Sequence, residues 1–261
     1  FGSARHLLHQ AETNPDVLFI GLEIHKPSIE QALKQIVIRN LSNVMVLDYD
    51  ARLFLEFVPS NVVGKIYVHF PVPWDKKPHR RVISEAFLEE ATRVLKVGGT
   101  LELRTDSEEY YRFALETFSA PTQSRFEVYK NREIAIVSKY EDRWKRLEKN
   151  IYDVIFTCAV QRPPGDIPGD FTFSSTADPF GAVERLGTQT HRREWGFVHV
   201  ERSFRISDTA AMIRLAMGSF DRPESTYVII EQGRTRYFPV LPVRSRANLA
   251  AHHLLNELLH G

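Results

Sequence analysis

Between residues 17 and 105, short apolar runs alternate with segments whose apolar positions recur every three or four residues. That alternation predicts a parallel sheet with crossover helices. Residues 17–22 read as a buried strand, and Pro27 suits the first turn of a helix that turns Ile29, Leu33, Ile36 and Val37 inward. The strand pattern repeats at 43–47. A short helix with Leu53, Leu55 and Phe57 stops near Pro59, and 65–70 form the next strand. Val82, Ile83, Ala86, Phe87, Ala91, Val94 and Leu95 share one helical face, which Gly98-Gly99 is expected to end. A strand at 100–105, a helix at 107–118, a strand near 125–129, a charged stretch at 139–149 and a strand at 152–158 complete an α/β unit.

Residues 161–169 then gather Pro and Gly too densely for regular structure, so a boundary is expected there. The sequence thus divides into an α/β domain at 1–158, a Pro/Gly-rich linker at 159–169 and a smaller α+β domain at 170–261. In the last, strands are expected at 171–174, 197–206, 211–217, 227–231 and 236–241. A helix follows with Ala247, Ala251, Leu254, Leu255 and Leu258 on one stripe. No internal repeat stands out.

Composition narrows the class. The 261 residues are 43% hydrophobic and 26% charged, near soluble-globular averages, with no apolar run of the roughly 20 residues a membrane span needs. A net charge of +1 means that a nucleic-acid partner must be held by a local patch. Cys158 is the only cysteine, which excludes an internal disulfide and a multi-cysteine zinc site and suits a reducing cytosol. The chain opens on Phe1 without a charged-then-apolar leader. Gly2-Ser3 ahead of a helix, with no strand before it, reads as the tail of a glycine turn whose front piece is missing.

In open parallel sheets ligands sit outside the carboxyl ends of the strands, so the residues just after each strand carry the chemistry. Glu23 follows the first strand, where an acid can accept both hydroxyls of a ribose. Asp50-Ala51 follows the second, where Asp50 can accept from an exocyclic amine, and the backbone amides of Gly2-Ser3-Ala4 can hold an anion. The densest signal is 69–81, where a strand runs into Pro71 and Pro73, then Trp74, then Lys76, Lys77, Arg80 and Arg81. Trp74 can stack on a base while the four cations meet phosphates. Residues 159–261 hold 12 arginines, no lysine and 11 acids. Arginines beside Tyr227, Tyr237 and Phe204 suit RNA, while the near-balance of charge suits docking or dimerisation equally well.

The strings at 19–27, 70–81, 95–99 and 138–143 together resemble the tRNA (guanine-N7)-methyltransferase family, a class I, S-adenosylmethionine-dependent, Rossmann-like fold. The resemblance covers about residues 1–158, whose sheet by that likeness lacks its first strand. It implies methyl transfer from S-adenosylmethionine to guanine N7 of tRNA in the cytoplasm. Its alternatives are a methyltransferase on another RNA or base, and a catalytically weak tRNA-binding relative. By that likeness Gly2, Glu23, Asp50 and Ala51 bind the cofactor. Trp74, Lys76, Lys77, Arg80, Arg81, Ser138, Lys139 and Tyr140 bind substrate, and Asp75, Asp106 and Glu141 supply carboxylates at the reacting base. Two residues depart from the family pattern: Val72 fills the acidic slot of Phe-Pro-Asp-Pro-Trp, which Asp75 is expected to replace, and Ala4 stands where the glycine loop continues. No metal is expected, and monomer and homodimer remain equally open.

Overall fold

The computed structural model describes residues 1–119, 125–134, 149–163, 169–220 and 222–260. The chain divides into two compact units, Phe1–Gly165 and Asp166–Gly261.

The first unit is a Rossmann-like α/β assembly. Helix α1 (Arg5–Thr13) leads through β1 (Phe19–Glu23) and α2 (Lys26–Ile38) into β2 (Val44–Asp48), which pairs in parallel with β1. Pro27 stands in the first turn of α2, as its fixed φ favours. A short helix α3 (Ala51–Phe54) and a 3-10 turn (Leu55–Phe57) lead to β3 (Val63–His69). Beyond it come α4 (Glu85–Val94), β4 (Leu95–Thr105), α5 (Glu108–Ser119), β5 (Arg125–Lys130) and β6 (Tyr152–Thr157). These four strands form a sheet in the order β3-β4-β6-β5, in which only β3 and β4 run parallel.

Helix α4 ends at Val94, earlier than the Gly98-Gly99 stop expected from sequence, and the chain passes directly into β4. Gly98 has φ +79° within that strand and donates its N–H to the Cys158 carbonyl at 2.8 Å, so the glycine bends an inner strand near its start instead of capping a helix.

Alternation along β4 separates two environments. Leu101 and Leu103 are fully buried with Phe87, Ala91, Tyr110, Phe118, Val154 and Phe156 beneath α4 and α5. Glu102 and Arg104 therefore point to the other face. There Arg104 and Asp153, register partners across β4 and β6, are both 0% exposed, and Nη1 donates to both carboxylate oxygens at 2.6 Å. Arg132 joins Asp153 at 3.3 Å to Glu102 at 3.0 Å, and Glu102 is 2.7 Å from Nε2 of His69. His6 of α1 lies over His69 and Tyr67, with ring centroids 4.5 and 4.7 Å apart. Because charges in a low-dielectric setting hold only when paired, this ladder fixes where β3, β4 and β6 end.

Burial tends to raise the pKa of Glu102, but His69 and Arg132 outweigh it and hold the group down at about 2. Burial, reinforced by His69, lowers that of His6 to about 4.

The second unit is a five-stranded antiparallel sheet in the order β11-β10-β9-β8-β7. Its elements are α6 (Pro179–Leu186), β7 (Thr190–Arg192), β8 (Phe197–Arg205), β9 (Ala210–Ser219), β10 (Arg222–Glu231), β11 (Arg234–Phe238) and α7 (Arg246–His260). Val198, Val200, Ile213, Leu215, Met217, Val228 and Ile230 pack one sheet face against Ala182 and Leu186 of α6 and Ala251, Leu254, Leu255 and Leu259 of α7. Residues 171–174, expected as a strand, are irregular. Their Phe171 and Phe173 cover Tyr237 and His252, at ring separations of 4.6 to 5.7 Å. Cys158 is buried, as a structural thiol should be.

Two outcomes test the charged ladder. Asp153→Ala leaves Arg104 buried without its carboxylate and is expected to lower unfolding free energy by about 3–5 kcal/mol in urea denaturation; a loss under about 1 kcal/mol contradicts the assignment. Unfolded His6 takes up a proton near pH 6.5, whereas the folded residue does so only near 4, so its stabilising contribution is complete above 6.5 and is lost as pH falls through that window. The thermal midpoint of the parent should drop between pH 6.5 and 4.5, and His6→Gln should flatten that drop; identical slopes for the two proteins refute it.

Candidate active site

The strand ends that the sequence singles out converge on one edge. In β1 and β2, Glu23 stands in register with Asp48, and the Tyr49 amide donates to the Glu23 carbonyl at 3.2 Å, so Glu23 and Asp50 leave adjacent carboxyl ends. Helix α1 starts at that edge, where the Gly2 amide donates to Oε2 of Glu23 at 2.9 Å. Farther along α1, Asn43 at the entrance to β2 donates to the Ala11 carbonyl at 3.0 Å, so the helix runs back along the strands. Leu7 and Phe1 lie over Gly21 of β1, while His6 lies over Tyr67 and His69 of β3. Helix α1 therefore touches both strand sets and meets the carboxyl end of each near its own N-terminus.

Glu23 is set firmly. Oε1 accepts from the amides of Ile24 at 2.9 Å and His25 at 3.1 Å, which orients the carboxylate toward the Gly2 turn. Burial works to raise its pKa, but the amides of Gly2, His25 and Ile24 hold it below the usual carboxylate range. Gly2 and Ala4 both take left-handed φ, 56° and 57°. An alanine there is strained by about 1–2 kcal/mol, so glycine would be the relaxed residue where Ala4 breaks the glycine-loop pattern.

Asp50 caps α3. Its Oδ1 accepts from the Arg52 amide at 2.8 Å, and Oδ2 meets the Arg52 guanidinium at 3.0 Å. Ala51 is the first residue of that helix. The acceptor set fits an adenosine moiety: an acid whose Oε2 faces a glycine turn for a ribose diol, and a second acid on the neighbouring strand for an exocyclic amine.

The loop after β3 is stiff and asymmetric. Phe70 and Trp74 both adopt φ 48°, the left-handed region that bulky residues rarely enter, on either side of Pro71-Val72-Pro73. Phe70 donates its amide to the Arg104 carbonyl at 2.7 Å, which ties the loop to the end of β4. Arg81 holds the far side: Nε donates to the Pro73 carbonyl at 2.7 Å, Nη2 is 3.6 Å from Asp75, and the guanidinium lies over Tyr110 and Phe113 at 5.0 and 4.9 Å. The Tyr110 hydroxyl accepts from the Ile83 amide at 2.9 Å, and burial pushes its pKa up to about 12. The expectation that Arg81 contacts a phosphate is thus corrected, because it is 4% exposed and its guanidinium secures the loop from beneath. Lys76, Lys77 and Arg80 remain exposed, and Arg80 covers Trp74 at 5.2 Å. Val72 is 61% exposed, and the Asp75 side chain 54%.

Asp106, just past β4, is 3.3 Å from Lys149. Ser138, Lys139, Tyr140 and Glu141 lie outside the described residues. A cavity of about 160 Å³ opens between α1 and the sheet, lined by His6, Gln10, Tyr67, Glu102 and Arg132. A larger groove of about 680 Å³ is lined by residues such as Pro59, Asn61, Arg93 and Arg162. It sits at the entrances to β3 and β4, the strand ends opposite those that lead into the proline loop and Asp106. Sequence reasoning missed Glu102, Arg104 and Asp153; the available signal was the Leu-Glu-Leu-Arg alternation at 101–104, which puts two charges on one face of an inner strand. Among the described residues no cluster has the makings of a metal site, and no helix is long and apolar enough to cross a membrane.

Comparison with known proteins identifies relatives along the whole chain. A family model described as "Putative methyltransferase" aligns with residues 1–154. A tRNA (guanine-N(7)-)-methyltransferase of Wolinella succinogenes is 48% identical over 260 residues, 99% of this chain and 66% of that protein. Proteins of the same name from Campylobacter fetus and Helicobacter pylori strain 26695 are 38% and 42% identical, again over 99% of this chain and 66% of theirs. The chain therefore spans just under two thirds of the length of these relatives, and the likeness runs through the second unit as well as the first. By the family model and by relatives 38–48% identical along 99% of its length, the chain belongs to the tRNA (guanine-N(7)-)-methyltransferase family.

Proposed function

We propose that the first unit transfers the methyl group of S-adenosylmethionine to N7 of a guanosine in tRNA, in the cytosol. The observation that carries this reading is the edge itself, where Glu23, Asp50 and the Gly2 turn adjoin and a basic, stackable loop leaves the same side of the fold.

The cofactor would supply an electrophilic methyl on a sulfonium. Glu23 would accept from its ribose, Asp50 from its amine, and the Ala51 amide at the start of α3 would lie against the base. Three backbone amides already meet Glu23, those of Gly2, Ile24 and His25. A diol reaches the carboxylate by displacing the contacts to Oε2, while Ile24 and His25 keep Oε1 in place. Guanine N7 bears a lone pair and no proton, so no general base is obligatory. What the protein contributes is alignment, worth up to about 7–11 kcal/mol. Asp106 would accept from the guanine edge and offset the positive charge that builds on the ring, with Lys149 holding it in place. Glu141 is proposed for the same edge, with Ser138, Lys139 and Tyr140 forming the rest of the pocket. Asp75 lies beside Arg81 where the family carboxylate is replaced by Val72. Trp74, levelled by Arg80, offers a base-stacking plane, while Lys76, Lys77 and Arg80 face phosphates.

Incubation with methyl-labelled cofactor and unmodified tRNA should give N7-methylguanosine. Methylation at another atom, or tRNA binding without product, contradicts the reading. Glu23→Ala should weaken S-adenosylmethionine binding at least tenfold in titration calorimetry while leaving tRNA affinity unchanged; equal cofactor affinity rejects the ribose assignment. Removing Lys76, Lys77 and Arg80 should lower the salt slope of tRNA binding by about one per residue. Arg81→Lys should leave that slope intact yet speed tryptic cleavage between Lys76 and Lys77, and an unchanged cleavage rate would show that Arg81 does not hold the loop.

A further inference from the structure

Among the described residues, helices of the second unit cover one face of its sheet and not the other. Register partners share a face, so the residues opposite the helix-covered core can be read off strand by strand. One row crosses β8, β9, β10 and β11 as Arg202, Arg214, Tyr227 and Phe238. The next crosses as Phe204, Met212, Ile229 and Arg236. The guanidinium of Arg202 lies over the Phe204 ring at 5.2 Å, and Phe238 is 43% exposed. Arg214 bonds Glu201 at 2.7 Å, while Arg236 has no acidic partner among the described residues.

From this we infer that the uncovered face of the second unit is an RNA-binding platform, taking the phosphates and splayed bases of an unpaired RNA segment. Three arginines and three aromatic rings occupy two adjacent rows, against one acid, Glu201. Aromatic planes accept bases of any sequence, and arginine, unlike lysine, supplies both a planar fork for phosphate and a stacking surface. The unit's cations are all arginine.

A second copy of the chain fits the face poorly. Arg202 and Arg214 stand opposite one another, and the single carboxylate beside them, Glu201, bonds Arg214 alone, so the rows keep a net positive charge. A two-fold dimer would press the same arginines against their own images. A polyanion relieves the repulsion that a second copy would double.

The inference rests on the proposed tRNA substrate only for the identity of the RNA, so two probes separate the claims: an unmodified tRNA transcript and an oligouridine 12-mer, each titrated against the complete chain by fluorescence anisotropy. The double change Arg202→Ser and Arg236→Ser should weaken both probes about tenfold and lower the salt slope by between one and two. Phe238→Ser should weaken oligouridine binding about fivefold without altering the slope, and Phe238→Tyr should restore it. Far-UV circular dichroism and the thermal midpoint are expected to match the parent for every variant. Unchanged affinity and slope for both probes in correctly folded variants overturn the inference. So does a variant that abolishes self-association in sedimentation equilibrium while RNA binding persists. If no N7 product forms on tRNA yet oligouridine binding falls as described, the platform stands and the proposed reaction fails.

Discussion

The paired charges under the sheet are the constraint on which the first unit depends. Arg104 and Asp153 lie fully buried on adjacent strands, with Arg132, Glu102 and His69 continuing the chain of contacts toward α1. Apolar residues in those positions would pack well but would tolerate a strand slipping; a ladder of ions with matched partners does not. Its placement follows from β4 alone, where the leucines of an alternating run go to the α4–α5 side and the charges to the other. Both strands that lead into candidate site residues, β3 into the proline loop and β4 into Asp106, end within this network.

Rigidity at the strand ends passes into the loop. Phe70 and Trp74 sit in left-handed conformations that each cost about 1–2 kcal/mol, and such strain persists only where surroundings enforce it. The Arg104 carbonyl accepts from Phe70 at one end, and Arg81 meets Pro73 and Asp75 at the other. Two prolines between them remove most of the remaining freedom. The consequence is a pre-set platform, with Trp74 and Arg80 stacked outward. Binding to such a surface loses little conformational entropy. Arg80 and Arg81 are neighbours of the same residue type with opposite tasks, one facing solvent and one beneath the loop.

The alternation of strands and helices was legible in the first unit because its elements carry start and stop signals, with Pro27 opening α2 and Ser84 capping α4 by accepting from the Phe87 amide. The strand-end acids were legible for the same reason. The inward face of α2 was misread: Leu33 and Val37 are 47% and 79% exposed, and Ala32 is the buried residue. The end of α4 was misplaced because Gly98 resembles a cap while serving a strand. Residues 171–174 carry strand-like phenylalanines whose rings cover the Tyr237–His252 pair without any sheet pairing. Helix α6 went unread although Asp178 caps it by accepting from the Gly181 amide and Pro179 opens it, since eight residues give little periodicity. The burial of Arg81 was illegible in principle, because a run of basic residues reveals charge and not which member finds an aromatic pocket.

Amide hydrogen exchange on the complete protein tests the central claim most directly, namely that one edge holds the cofactor at Glu23 and the RNA at the tryptophan loop. Addition of S-adenosylhomocysteine should slow exchange at residues 2–7 and 22–26, and unmodified tRNA should slow it at 74–82, with both regions protected in the ternary mixture. Protection by either ligand confined to the groove lined by Pro59, Asn61, Arg93 and Arg162, at the opposite end of the strands, would contradict the account.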